Sequence, residues 1–428
     1  MGNLTVNVNL EIKKISFFEK FAFFLSKIDI KFVFFIMIFI GPFFYVDENE
    51  LSFLPPHFYI SITLEFFLLF IAISMTALAF VNRKFNIPVN KLIIIMFSYI
   101  FICLISIILN MDDKLNEGLI EYSFLTYNFI WFLLMIYMLK NNGHKVLIYA
   151  IITLAFFNSI ISYMDFIFDF GDKSGLFGDR NFYGRLLVVV AAYLIIRLFN
   201  ADSLLKKILL LFGILLLSVN ITILFGRGAY LAYLFAIFAI IIATKSKKII
   251  VCGILLCCIV ALLFAYMTVK RVKSQRMNVV NMSDAGRISA MYAGFNMWKA
   301  KPILGVGYGT ARFRTREYEN ISVFGFNNQN MAIHNIYVQQ LAETGLIGFL
   351  LYNIFNVMLL SALARKFKGK KNLVKERPYE LFYAIALCVY LITGMFYPII
   401  SEGYIWYFSA GAIILLGNND NNTDSLGT

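Results

Sequence analysis

Three arginines are placed where they could bind an anionic group. Arg227 lies in the tripeptide Gly226-Arg227-Gly228 between two apolar stretches, and its planar guanidinium can donate two hydrogen bonds to one phosphate. Arg180 follows a glycine-bearing segment within Asp179-Arg180-Asn181, and Arg287 lies in the first turn of a predicted amphipathic helix. These positions indicate phosphate binding. The alternative for Arg227 is that its side chain extends to lipid headgroups.

His334 is the candidate proton acceptor. It is one of only three histidines and comes directly before Asn335, a residue suited to cap the N-terminus of the next helix. The positive end of a helix disfavours imidazolium, so this side chain can stay neutral and act as a base. A histidine in a loop is more often structural, and that interpretation stays open at this point.

Ionisable residues also occur inside apolar stretches. Glu65, Asp165, Arg185 and Arg227 all lie within, or at the border of, the outer halves of the membrane spans predicted below. Charged groups in lipid are costly and tend to be functional. The four residues therefore indicate one level of the membrane, although Glu65 and Asp165 could simply pair with the arginines.

The composition predicts an all-α integral membrane protein. Hydrophobic residues make up 60% of the chain and charged residues 15%, whereas soluble domains are about one quarter charged. Crossing the hydrocarbon takes roughly 20 apolar residues as a helix, and about twelve stretches approach that length. The predicted spans are residues 32–46, 58–80, 92–109, 119–139, 146–168, 184–199, 208–225, 229–243, 249–269, 346–363, 380–397 and 404–416.

Lysine and arginine alternate from one connection to the next, and this sets the orientation. Residues 1–31, 82–91, 140–145, 197–207, 244–248 and 364–379 together hold 23 basic residues, whereas 47–57, 110–118 and 396–403 hold only Lys114. We therefore expect a multi-pass protein of the bacterial inner membrane with both termini in the cytoplasm. No cleavable signal is expected.

One outer segment breaks this alternation. Residues 270–332 carry ten basic side chains against three acidic ones. Long loops are exempt from the orientation rule, so the segment is either a solvated basic domain or an electrostatic funnel for an anionic substrate. Lipid-linked phosphates are the natural anions there, and nucleic acid is not expected. The predicted organisation is nine spans in 1–269, a large periplasmic loop in 270–345, and three spans with a cytoplasmic tail in 346–428.

Two short helices are predicted in this loop. The first begins near Ser283, ends before Pro302 and suits the membrane interface. Its apolar face comprises Ile288, Met291, Tyr292, Phe295 and Trp298. The second covers residues 335–344, includes Tyr337 and stops at Gly345. Gly305, Gly307 and Gly309 are expected to form a flexible connection between them, and no dinucleotide site is expected because no strand precedes them.

An ordered set of short motifs resembles the O-antigen ligase and O-antigen polymerase superfamily. The motifs are GLFGDRN at 175–181, FGRGA at 225–229, DAGR at 284–287, WKAKPILGVG at 298–307, HNIY at 334–337 and ETGLIG at 343–348. No single motif is specific, but their order is. Gly226 departs from the pattern, because the family often has Ser or Thr there.

The resemblance implies a metal-independent, inverting, GT-C-like membrane glycosyltransferase without a cofactor. Its donor would be a glycan on undecaprenyl diphosphate, with His334 as general base, and with Arg227, Arg287 and Arg180 binding the diphosphate. The candidate supporting residues are Asn335, Tyr337, Arg185, Asp165, Glu65 and Glu343. The implied partners are the lipid-linked oligosaccharide and the phospholipid membrane, with a chain-length regulator protein as a further candidate.

Three functions remain open. A polymerase extends lipid-linked repeat units, whereas a ligase transfers the finished glycan to lipid A-core. We favour the polymerase, because the chain is rich in Phe, Ile and Asn and idiosyncratic outside the motifs. A lipid-linked oligosaccharide transporter is the alternative of another class. It is disfavoured because the charged groups gather on one side and no repeat relates the two halves.

Overall fold

The part of the chain that the computed structural model describes is helical, and comprises residues 31, 33–36, 91–139, 143–168, 180–224, 226–244, 277–319, 331–397 and 403–420. The helices of 91–420 are α1 (Lys91–Ile108), α2 (Leu115–Met138), α3 (Gly143–Phe168), α4 (Arg180–Leu198), α5 (Leu204–Leu224), α6 (Arg227–Thr244), α7 (Met277–Ala300), α8 (Ala311–Tyr318), α9 (Ile336–Arg365), α10 (Leu373–Glu376), α11 (Pro378–Thr393) and α12 (Gly403–Asp420).

Seven of these helices are long and apolar enough to cross a membrane, namely α1 to α6 and α9. Two shorter apolar helices, Pro378–Thr393 and Tyr404–Gly417, accompany them. The predicted spans at 58–80 and 249–269, and most of 32–46, lie outside the described residues. The all-α membrane architecture is therefore confirmed, and the number of spans stays a prediction.

Helix α4 lies at the centre of the bundle. It packs against α5, α6 and α11, and the run from Leu186 to Ala192 is entirely buried. A helix that is apolar all round must be surrounded by other helices, and the sequence of α4 has this character. The start of α4, which carries Arg180 and Arg185, is thereby fixed relative to three neighbours.

A buried polar network joins α3, α4 and α5 just before Arg185. The hydroxyls of Ser159 and Tyr183 lie 2.8 Å apart, and Asn220 Nδ2 donates to Tyr183 Oη at 3.3 Å. Ser162 Oγ donates to Asn220 Oδ1 at 3.0 Å. Hydrogen bonds of this kind favour association of helices in lipid, where apolar burial gives little drive.

Three of the lysine-rich connections meet at one end of the bundle. Hydrogen bonds of 2.8 Å run from Tyr383 Oη to His144 O and from Asn200 Nδ2 to Val374 O. Residues 143–145, 197–207 and 364–379 thus lie on one side, as strict alternation of the spans requires. That this side faces the cytoplasm remains a prediction from the basic residues.

Helix α7 begins at Met277, and the predicted start near Ser283 was therefore wrong. Its packed face carries small and flexible residues, and Ala293 and Met297 share a core with Ile333 and Val338. The opposite face is apolar and open, with Ile288 56% and Tyr292 42% exposed. Its position at the membrane interface stays a prediction.

Helix α9 is broken at Gly345, as the sequence predicts. Gly345 has φ 62° and ψ −163°, and the residues around it exchange backbone hydrogen bonds with the segment that precedes α8. The bonds are Val306 N to Ala342 O (2.8 Å), Gly307 N to Glu343 O (3.2 Å), Leu346 N to Pro302 O (2.8 Å) and Ile347 N to Ile303 O (3.3 Å). These bonds replace the two helical bonds that the break removes.

The glycine-rich segment at 305–309 is not a flexible connection, contrary to the prediction. Gly305, Gly307 and Gly309 all have positive φ and are buried. A Cβ on Gly305 would lie 2.4 Å from the carbonyl carbon of Glu343, and one on Gly309 would lie 2.4 Å from Glu121 Cβ. The repeated glycines suggested a flexible segment. The structure shows instead that glycine is required there, because a side chain would collide with neighbouring atoms.

We expect Gly345→Ala to destabilise the protein far more than Gly369→Ala. Both glycines have positive φ, but a Cβ on Gly345 would lie 2.3 Å from the backbone of Ile303, whereas Gly369 has nothing within 4 Å. The free energy of unfolding should fall by about 1 kcal/mol for Gly369→Ala and by about 3 kcal/mol or more for Gly345→Ala. Unfolding of the purified proteins in one detergent measures this. Equal losses would contradict the packing at the break.

Candidate active site

Asn335 caps α9 and connects it to a neighbouring helix. Its backbone is extended, and its Oδ1 accepts hydrogen bonds from Tyr337 N (3.0 Å) and Val338 N (3.1 Å). Its Nδ2 donates to Met395 O at 3.1 Å. The predicted N-cap is therefore confirmed. Because His334 directly precedes this cap, its backbone position is fixed by the start of α9.

The segment that follows α11, residues 394–397, packs against the start of α9. The backbone N–H of Ile336 donates to Gly394 O at 2.8 Å, and Tyr337 Oη donates to Leu391 O at 3.0 Å. The rings of His334 and Tyr397 lie 5.5 Å apart, centre to centre. Tyr337 thus holds α9 against α11, and the 394–397 segment lies beside the candidate base.

Arg185 lies among aromatic rings at the same place. Its side chain is buried, with 1% of its surface exposed. The guanidinium carbon lies 5.1 Å from the ring centre of Tyr397 and 5.8 Å from those of Phe182 and Tyr390. Aromatic faces attract a cation at such distances. Tyr397 therefore contacts both Arg185 and His334.

The turn that contains Arg227 lies between α4 and the 394–397 segment. A Cβ added to Gly226 would lie 3.6 Å from Asn181 Oδ1, and one added to Gly228 would lie 3.6 Å from the side chain of Phe396. Arg227 itself is exposed, and Arg180, at the start of α4, is half-buried. The structure thus brings the starts of α4, α6 and α9 together around one short segment.

Arg287 lies on α7. It is half-buried and lies seven residues before Gly294, which is about two helical turns along one face. At Gly294 an added Cβ would lie 2.8 Å from Ile333 Cδ1 and Val338 Cγ1. Arg287 is therefore on the face of α7 that is turned toward the chain leading into α9.

The candidate acidic residues lie elsewhere. Asp165 is half-buried near the end of α3, and within the described part of the chain no ion pair joins it to an arginine. Glu343 is 2% exposed; its carboxylate accepts a hydrogen bond from Gln339 Nε2 (3.2 Å), and its backbone carbonyl accepts one from Gly307 N (3.2 Å). Glu343 thus contacts the glycine-rich segment, and Glu65 lies outside the described residues.

Two of the basic residues in 270–332 have structural roles. Arg314 is buried and forms an ion pair with Asp112, Nη2 to Oδ2 at 2.5 Å, while its Nε donates to Thr310 Oγ1 at 3.1 Å. Lys301 donates to Asn110 Oδ1. Both fasten the loop to the α1–α2 connection, so the predicted funnel would contain fewer cations than the sequence suggests.

Asp112 stays negatively charged, as its ion pair with Arg314 requires. Partial burial raises the pKa of Asp112, but hydrogen bonds from Lys114 N and the Arg314 guanidinium outweigh it, so that its pKa is below the ordinary value. The carboxylate therefore stays ionised and keeps Arg314 paired.

Tyr397 and Phe396 were not among the sequence-based candidates. They lie at the outer end of the predicted span 380–397, where aromatic residues are common as membrane-interface residues. No local pattern distinguishes a site tyrosine from an interface tyrosine. Only the packing of α4, α6 and α9 against the 394–397 segment shows the difference.

The described residues define an all-α membrane protein that carries a group of cationic side chains and an imidazole at one end of its bundle. At one end of the bundle, arginines from α4 and α6 and the imidazole before α9 lie around one segment. Residues 212–353, less than half of the chain, match the family model described as O-antigen ligase. That stretch carries Arg227, Arg287 and His334.

The match confirms the resemblance to the O-antigen ligase family over residues 212–353. Members of this family are membrane enzymes that transfer glycans. A comparison with curated proteins gave no match.

We expect Asn335→Ala to cost more stability than Asn372→Ala, by about 1 kcal/mol. Both asparagines cap a helix, since Asn372 Oδ1 accepts from Lys375 N at 3.2 Å, but only Asn335 also donates to the 394–397 segment. Asn335→Asp keeps the capping acceptor and loses that donor, so it should fall between wild type and Asn335→Ala. Unfolding in detergent ranks the variants. If Asn335→Asp is as stable as wild type, the bond to Met395 contributes nothing.

Proposed function

We propose that this chain is an O-antigen polymerase. It transfers a glycan from undecaprenyl diphosphate to a hydroxyl of another lipid-linked repeat unit, at the periplasmic face of the bacterial inner membrane. The observation that supports this most is the meeting of Arg185, Arg227 and His334 at the 394–397 segment. The family match includes two of these residues.

In the proposed reaction His334 takes the proton of the acceptor hydroxyl. The hydroxyl oxygen forms a bond with the anomeric carbon of the donor sugar, while the bond from that carbon to the diphosphate oxygen breaks. The electron pair of the broken bond leaves with the diphosphate. Attack opposite the leaving group inverts the anomeric centre, and base catalysis contributes roughly a hundred- to ten-thousand-fold.

Cationic residues stabilise the negative charge that develops on the leaving diphosphate. Arg227 is exposed at the site and can bind the diphosphate through two donors, with Arg287 and Arg180 completing the clamp. Preorganised positive charge of this kind is a large contribution to catalysis. Asn335 and Tyr337 fix the start of α9, and Arg185 adds a buried charge nearby. We assign Glu343 to the support of the loop and leave Asp165 and Glu65 as candidate supporting residues.

The proposed mechanism uses no metal ion and no cofactor. The arginines take the place that a divalent ion has beside the diphosphate in other glycosyltransferases. Among the described residues, no group of three or more His, Cys, Asp or Glu could hold a metal ion, and metal independence itself stays a prediction. The proposed partners are the lipid-linked oligosaccharide, the phospholipid membrane and a chain-length regulator protein.

We expect His334→Ala to lower the transfer rate by at least about a hundredfold, and Arg227→Ala by a similar factor. Arg227→Lys should recover only part, because a lysine cannot donate two parallel hydrogen bonds. Arg365→Ala is the matched control, since Arg365 is an exposed arginine at the opposite end of α9. Glycan chain length in cells and the rate with purified protein report the result. Full-length chains from a well-expressed His334→Ala protein would refute the proposed base.

A second experiment separates polymerase from ligase. The ligase alternative is favoured by the description of the matching family, O-antigen ligase. We expect purified protein in vesicles to build a ladder of products from lipid-linked repeat units alone, with the same rate in EDTA. Product formation only after lipid A-core is added would instead identify a ligase, and loss of the rate in EDTA would contradict metal independence.

The same vesicles test the transporter alternative. With donor and acceptor confined to the outer leaflet, a transferase forms product without moving lipid between leaflets. Movement of intact donor across the membrane, with no new glycosidic bond, would contradict the proposal.

A further inference from the structure

The ring of Tyr397 contacts both Arg185 and His334. The Arg185 guanidinium carbon lies 5.1 Å from the centre of the Tyr397 ring, and the His334 ring centre lies 5.5 Å from it. The guanidinium and the imidazole are therefore within about 11 Å of each other, which is close to one Debye length. Arg185 belongs to α4 and His334 to the chain just before α9, and this ring lies against both.

The backbone around Tyr397 is held on several sides. Gly394 O accepts from Ile336 N at 2.8 Å and Met395 O accepts from Asn335 Nδ2 at 3.1 Å. Phe396 lies against the turn that contains Arg227, 3.6 Å from the position of a Cβ on Gly228. A ring carried by such a segment has a defined place relative to α4, α6 and α9.

We propose that Tyr397 is a positioning residue, whose ring sets the placement of the Arg185 guanidinium relative to the His334 imidazole. This inference rests on the proposed glycan transfer. It concerns the ring of Tyr397, which makes a contact with each of the two groups. Tyr397 itself takes no proton and forms no bond in the reaction.

The physical reason lies in how each partner is held. The face of an aromatic ring attracts a guanidinium, and three such rings surround Arg185, with Phe182 on its own helix and Tyr390 on α11. The imidazole of His334 has the Tyr397 ring on one side, so its orientation depends on that ring. A shift of about 1 Å in a reacting group can cost about a hundredfold in rate.

The effect should fall on turnover more than on substrate binding. The lipid chain and the sugars contribute binding that is equal in the ground state and the transition state, and Tyr397 does not alter it. Misplacing the base affects only the transition state, which lowers kcat and leaves KM nearly unchanged. A general loss of folded protein would lower the amount of active enzyme, but it would not lower kcat per folded molecule.

The test compares Tyr397→Phe with Tyr397→Leu in the full-length protein, using lipid-linked repeat units as substrate. Tyr397→Phe keeps the ring and should stay within about threefold of wild-type kcat, whereas Tyr397→Leu should lose about 10- to 100-fold with KM for the donor within about threefold. Phe355→Leu is the matched control, because Phe355 is a buried ring of α9 that packs against Phe132 at 6.3 Å. It should keep wild-type kcat per folded protein.

Each other outcome overturns the inference. If Tyr397→Leu keeps its kcat, the ring positions nothing. If Tyr397→Phe falls as far as Tyr397→Leu, the hydroxyl and not the ring is required. If Phe355→Leu loses as much kcat as Tyr397→Leu, the effect is one of general packing. Wild-type protein that forms no product would contradict the proposed function instead, and that result is read before any variant is compared.

Discussion

The exchange of backbone hydrogen bonds at the break in α9 is the constraint on which the end of the molecule that carries His334 depends. Near lipid, a backbone polar group without a partner costs several kcal/mol. The break at Gly345 would leave the carbonyls of Ala342 and Glu343 and the N–H groups of Leu346 and Ile347 without their helical partners. Residues 302–307 supply a partner for each of the four. The loop and the broken helix therefore satisfy each other's backbone groups.

This junction determines how the first part of α9 is presented. The residues before Gly345 are tied to α1, where Tyr99 Oη donates to Gln340 Oε1 at 2.7 Å and Ser106 Oγ donates to Glu343 O at 2.6 Å. The residues after it continue as an apolar helix through the bundle. His334 thus directly precedes a short helix that is held by α1 and α11.

The features that the sequence could predict are those encoded by neighbouring residues. The cap at Asn335 and the stop at Gly345 need only a side chain or a backbone angle at one position, and both are confirmed. Apolar runs of membrane-spanning length could be identified from the sequence in the same way. The packing of the glycine-rich segment, the pairing of Arg314 with Asp112 and the contacts of Tyr397 join residues that are distant in sequence. A composition rich in glycine, arginine or tyrosine does not specify such partners.

The arginines at this end of the bundle differ in exposure, and therefore in what each can contribute to binding. Arg314 is buried against Asp112 and Arg185 is buried among rings. The positions of these two guanidinium groups are therefore set before a substrate binds. Arg227 is exposed, and water screens its charge in the free protein. A lipid-linked diphosphate that covers this side chain would displace that water and strengthen the attraction. In such an arrangement the buried Arg185 provides a fixed positive charge beside the site. The exposed Arg227 gains most of its interaction energy only when the donor is bound.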